Sequence, residues 1–140
     1  MNDNYLVWSV VALLGYTAFT PLAQLATSSV PSYVVALVAN TILAVSALGV
    51  ALYQRGPILV HVTGDAGVYM LAAGAFLTVG ILAYYEALAT GPVSVVVPIF
   101  GMFIVGSSVL GLLFLGDELT ARKGLGIALA CVAVYLTATG

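Results

Sequence analysis

Apolar residues run along the chain in five long stretches, each closed by a short cluster of turn formers. The first covers about residues 5–26 and stops at Thr27-Ser28-Ser29, ahead of Pro31. The second covers about residues 31–53, with Pro31 in an opening turn where its missing N–H is no loss, and closes at Gln54-Arg55-Gly56-Pro57. The ILVHVTG segment that follows is too short to span and is expected as a loop near the interface. The third stretch covers about 66–89, with Asp65 placed to cap its N-terminus. After Thr90-Gly91-Pro92 the fourth covers about 93–115, and the fifth about 120–139. Each has the length of roughly 20 residues that a helix needs to cross a bilayer. Helices are the only open-chain way to satisfy every backbone N–H and C=O in hydrocarbon. The pattern therefore predicts an all-α integral membrane protein: residues 1–140 as one domain, a bundle of five transmembrane helices.

Composition removes the soluble alternative. Of 140 residues, 63% are hydrophobic and 6% charged, against about 25% charged in a typical soluble domain. Three basic and five acidic side chains cannot coat such a chain in water. The lipid bilayer is thus its first partner. With a net charge of −2 and no basic cluster, nucleic acid is not one. The N-terminal Met1-Asn2-Asp3-Asn4 carries no lysine or arginine. The apolar run behind it exceeds the roughly 7–15 residues of a secretion signal, so it reads as a retained span.

The same inventory narrows the chemistry. Cys131 is the single cysteine, which excludes an internal disulfide and a paired thiolate site, and it reads as a small buried residue. His61 stands alone, with no cysteine or carboxylate cluster at metal spacing, and no phosphate-cradling glycine loop occurs. No metal, cofactor or catalytic residue is expected, and the chain does not read as an enzyme. Five crossings put the N-terminus, the Arg55 loop and the Arg122/Lys123 loop on one side, with all three basic residues there. The basic bias of cytoplasmic loops then predicts a multi-pass protein of the cell membrane, N-terminus in the cytoplasm and C-terminus outside.

Glu86, about one turn from the end of the third span in Tyr84-Tyr85-Glu86, is the one carboxylate inside the apolar stretches. It has two readings. An intramembrane carboxylate is costly unless paired and marks a functional site; alternatively it reaches headgroup water, with the two tyrosines as interfacial anchors. The other polar positions are mild: Thr17, Thr20 and Gln24 in the first span, Asn40 and Thr41 in the second, Thr78 in the third, Ser94, Ser107 and Ser108 in the fourth. Ser94, Pro98, Gly101, Val105 and Ser108 share one face of the fourth helix, and Thr17, Thr20, Pro21 and Gln24 share one of the first. Such faces turn to a helix neighbour or a cavity, either as packing glue or as the lining of a path. Gln24 and Asn40 fit solute contact because an amide both donates and accepts. Pro21 and Pro98 interrupt helices near membrane depth, as packing kinks or to free carbonyls for a binding site. In the fifth helix the pairs Gly124/Ala128 and Gly126/Ala130 allow close backbone approach at a helix or subunit interface.

From Tyr84 onward the stretch YYEALATGPVSVVVPIFGMFIVGSSVLGLLFLGDELTARKGLGIALACVAVYL resembles the second half of an EamA-type domain of the drug/metabolite transporter superfamily. The AL-x-x-GPVSVV-x-P turn, the FLG-[DE]-E loop and the closing helix carry the likeness; GYTAFTPLAQLA resembles the family's first helix. The resemblance covers nearly the whole chain and implies one half of an inverted-repeat transporter fold, like the short half-size members. It further implies a homodimer, or pairing with an oppositely oriented homologue, around a central path for a small-molecule solute. Carried over by matching position, Tyr16, Pro21, Gln24, Tyr84, Glu86, Ser94 and Pro98 become candidates for that path or its gates. The expected function is transport of small organic solutes by alternating access; a structural or regulatory membrane subunit with no path of its own is the alternative.

Overall fold

The structure, a computed structural model, describes residues 4–116 and 118–139. Met1, Asn2 and Asp3, named above for the N-terminal tail, and Asp117 of the FLG-[DE]-E loop lie outside the described residues. The described chain forms α1 (Asn4–Thr27), α2 (Ser32–Tyr53), α3 (Ile58–Thr63), α4 (Gly67–Thr90), α5 (Val93–Gly101), α6 (Phe103–Phe114) and α7 (Ala121–Thr139). Five helical stretches are long and apolar enough to cross a membrane: α1, α2, α4, α5 with α6, and α7. Trp8, Tyr53, Phe76, Phe114 and Leu115 expose most of their surface. In water that would be a liability, whereas lipid tails are as apolar as these side chains and solvate them. The chain divides into two compact units, the first ending at Thr90 and the second beginning at Gly91.

In the first unit α1, α2 and α4 pack against one another in pairs, and α3 lies against α4. Its most buried side chains gather at one end: Thr20, Ala23 and Thr27 from α1, Ala36 from α2, Tyr84, Tyr85 and Leu88 from α4. That end holds the α1–α2 turn and the C-terminus of α4. The turn leaves few carbonyls of α1 unpaired, as hydrocarbon demands of a helix end. The Gln24 carbonyl accepts the Ser28 N–H at 3.0 Å and the Thr27 hydroxyl at 3.0 Å. The Leu25 carbonyl accepts the Ser28 hydroxyl at 2.7 Å, and the Ala26 carbonyl accepts the N–H groups of Ser29 and Val30. Small polar side chains thus help close the turn.

At the opposite end two expectations are corrected. The ILVHVTG segment is not a loop: Ile58–Thr63 makes one and a half turns of helix behind Pro57. Asp65 does not cap α4 either. A tight turn, with Gly67 N–H donating to the Gly64 carbonyl at 2.8 Å, leaves Ala66 as the residue whose carbonyl accepts the first helical bond, from Met70 at 3.0 Å. The cause is a close approach. A Cβ built on Gly67 would stand 2.1 Å from the Val62 carbonyl oxygen, so only glycine lets α3 fold back so tightly onto the start of α4.

In the second unit α7 packs against α5 and α6. The fourth apolar stretch is helical from Val93 to Phe114 except at Met102, which separates α5 from α6. Pro98 lies four residues earlier; its ring removes the N–H that would pair with the Ser94 carbonyl and crowds that carbonyl. Helix α6 ends at Phe114, and Gly116 just beyond it takes the left-handed conformation (φ +72°). Thr120 then caps α7, its hydroxyl accepting the Lys123 N–H at 3.3 Å. Gly124, Ile127, Ala130, Cys131 and Val134 are the less exposed positions of α7 and share one face, whereas Gly126 and Ala128 are exposed.

Candidate functional site

Most hydroxyls within the spans are satisfied by their own helix. Thr17, Asn40, Thr78 and Ser108 each donate to the carbonyl four residues earlier, at 2.7–2.8 Å. This is how an isolated polar side chain becomes tolerable in hydrocarbon, and it leaves few polar groups for contacts between helices. Two places in the first unit depart from that habit.

The first lies between α1 and α4. The Thr20 hydroxyl donates to the Tyr16 carbonyl at 2.9 Å and also meets the Tyr84 hydroxyl at 3.1 Å. Threonine has a single hydroxyl proton, and the Tyr16 carbonyl takes it. Tyr84 is therefore the donor across the interface, and the three groups form a chain from α4 through Thr20 into the α1 backbone. Thr20 is 6% exposed and Tyr84 4%. Beside them Tyr85 sets its ring edge-to-face on Phe19, centroids 5.8 Å apart and planes at 89°; Phe19 meets Tyr16 in the same way at 6.1 Å. These are favoured aromatic geometries. Both Tyr84 and Tyr85 are buried between helices, so neither stands out into the interface as an anchor.

The second lies between α2 and α4. The Ser32 hydroxyl donates to a Glu86 carboxylate oxygen at 2.5 Å. Ser32 is the first residue of α2, and Glu86 lies four residues before the end of α4, about 6 Å of helical rise. Successive residues on a helix point about 100° apart, so Tyr84 and Tyr85 reach α1 while Glu86 reaches α2. Helix α4 thus ties both neighbours through three consecutive side chains. Glu86 itself remains exposed.

The remaining sequence candidates are placed as follows. Gln24 is half-buried one turn beyond Thr20, and Asn40 is half-buried on α2, its amide donating to Ala36. Pro21 and the Tyr16 ring are exposed; α1 stays helical through Pro21, whose missing N–H deprives the Thr17 carbonyl of its usual donor. In the second unit Ser94 is exposed, while Pro98 and Ser108 are half-buried. Ser108 joins Val105 and Leu112 of α6 in a groove of about 370 Å³ whose other wall includes Lys123, Gly126 and Ala130 of α7. The Lys123 ammonium donates to the Glu118 carbonyl at 2.9 Å. Among the described residues no group of three or more histidine, cysteine, aspartate or glutamate side chains could hold a metal ion.

Ser32 and Phe19 were not among the residues singled out by spacing. A serine beside the opening proline of a helix reads as a turn former, and a phenylalanine in an apolar run carries no polar signal. Only the fold brings them to Glu86 and Tyr85. The model of the EamA-like transporter family matches residues 4–139 of this chain. No curated protein and no solved structure is a match.

Proposed function

The chain belongs to the EamA-like transporter family, and from that premise we propose that it carries a small organic solute across the bilayer by alternating access. The observation that supports this best is the Thr20–Tyr84 bond. Helices α1 and α4 meet through buried hydroxyls and ring edges beside buried Ala23 and Leu88. Residues 1–140 act as one five-span domain that pairs with a second copy or with an oppositely inserted homologue. The residues proposed for a path or its gates are Tyr16, Thr20, Pro21, Gln24, Asn40, Tyr84 and Glu86 within the first unit and, separately, Ser94, Pro98 and Ser108 within the second. Gly124, Gly126, Ala128 and Ala130 supply close helix contacts in the assembly. The protein resides in the cell membrane with its N-terminus in the cytoplasm. No catalytic residue, metal or cofactor takes part.

Reconstitution into liposomes tests the proposal. Loaded vesicles are expected to exchange a solute from a broad panel of amines, amino acids, polyols and carboxylates faster than empty vesicles. Thr20→Val with Tyr84→Phe should slow that exchange about tenfold while the protein stays monodisperse in detergent. Vesicles that exchange nothing across the panel, in either gradient direction, would refute the transport reading.

A further inference from the structure

We propose that Glu86 makes its end of the first unit a cation-selecting mouth, so that the carried solute is a neutral or positively charged organic molecule and anions are refused. The inference rests on the transport reading and names the substrate class of the same site.

Charge along the unit is distributed unevenly. Among its described residues the formally charged side chains are Arg55, Asp65 and Glu86. Arg55 and Asp65 flank α3, at the end where α2 finishes and α4 starts. Glu86 stands at the other end, tied to the first residue of α2. The 22 residues of α2 separate the two ends by about 33 Å. Nothing charged on α1, on α2 or on the rest of α4 offsets Glu86 at its own end.

The bond from Ser32 holds the carboxyl group in place and leaves most of its acceptor sites open. A hydroxyl at 2.5 Å supplies one proton to one oxygen, whereas a carboxylate has about four acceptor sites. The group is exposed, so an ammonium group can approach its remaining lone pairs. Deeper along the spans the described side chains include no lysine or arginine in α1, α2 or α4. An anion entering between these three helices would lose its water with no counter-charge on them, at a cost of several kcal/mol. Neutral and cationic solutes need no such counter-charge, and the exposed ring of Tyr16 offers a face that attracts cations.

The test has two arms. In the first, Tyr33→Cys places a thiol on the exposed residue beside Ser32, in a Cys131→Ser background, and is labelled by a cationic and by an anionic methanethiosulfonate. The cation-to-anion rate ratio should fall at least about threefold on adding Glu86→Gln and be restored by Glu86→Asp. The glutamine still accepts the Ser32 bond, so only the charge is lost. An unchanged ratio overturns the proposal whether or not transport is seen. In the second arm, liposomes are offered choline and isethionate, which share a hydroxyethyl body and carry opposite permanent charges. Choline should enter and isethionate should not; isethionate entering as fast as choline overturns the proposal. Silence toward both, together with exchange of nothing in the wider panel, counts against transport itself, while the labelling ratio still decides the mouth.

Discussion

At the scale of single residues, the first unit is held by a few polar contacts whose value depends on their surroundings. In lipid the transfer of apolar side chains between helices gains little, so packing and hydrogen bonds carry the association. The Tyr84–Thr20–Tyr16 chain is the buried example. A double-mutant cycle on Thr20→Val and Tyr84→Phe, followed by unfolding in denaturing detergent, is expected to give a coupling of about 0.6 kcal/mol and no more than about 1.7 kcal/mol. A coupling of zero would mean that the two hydroxyls stabilise nothing jointly. Gly67 depends on space instead of polarity. Gly67→Ala forces a methyl group against the Val62 carbonyl, so the midpoint of thermal unfolding should fall. Gly74→Ala, in the same helix with nothing within 4 Å of the added carbon, should raise it, because alanine is the better helix former by about 1 kcal/mol. Equal responses from the two variants would discard the close-approach account.

Among the elements, the five crossing helices are legible from sequence because hydrocarbon leaves the backbone few choices and demands long apolar runs. Helix α3 is not, since six residues are too few to establish a period. The cap of α4 is missed for a related reason: Asp65 has the right chemistry, but the turn forced by Gly67 moves the helix start past it. Thr20, Tyr84 and Glu86 are each readable as polar positions within apolar stretches. Their partners are not, because 64 residues separate Thr20 from Tyr84 and 54 separate Ser32 from Glu86. In the fourth span the sequence locates Pro98 but not the break, which falls at Met102. Pro98→Ala restores an amide opposite the Ser94 carbonyl within α5. Amide exchange over residues 95–98 is then expected to slow at least about tenfold, while the turn at Met102, whose N–H donates to the Ile99 carbonyl, stays as it is. Unchanged protection over residues 95–98 would show that the proline leaves its own turn undisturbed.

For the whole molecule, orientation turns on very few charges. Three basic residues are the only cations among loops that also hold Asp65, Asp117 and Glu118, so each carries an unusual share of the bias that fixes which side a loop occupies, acidic residues counting weakly. Arg55 closes α2, and Arg122 and Lys123 open α7; in a five-crossing chain these ends face the same side as the N-terminus. Glu86 lies at the end of α4 and has little effect, because acidic residues count weakly in this rule. The proposed cytoplasmic N-terminus therefore rests on three side chains, and removing them should unsettle it. With a reporter at each terminus, the natural chain is expected to show an N-terminus inside and a C-terminus outside. Replacing Arg55, Arg122 and Lys123 by glutamine and placing lysines at Ser28 and Ser29, in the exposed α1–α2 turn, should invert most molecules. Equal signals from both orientations in the natural chain would point to dual insertion, and with it to an inverted pair of identical copies. A single orientation that survives the charge reversal would show that something other than these loops decides the topology.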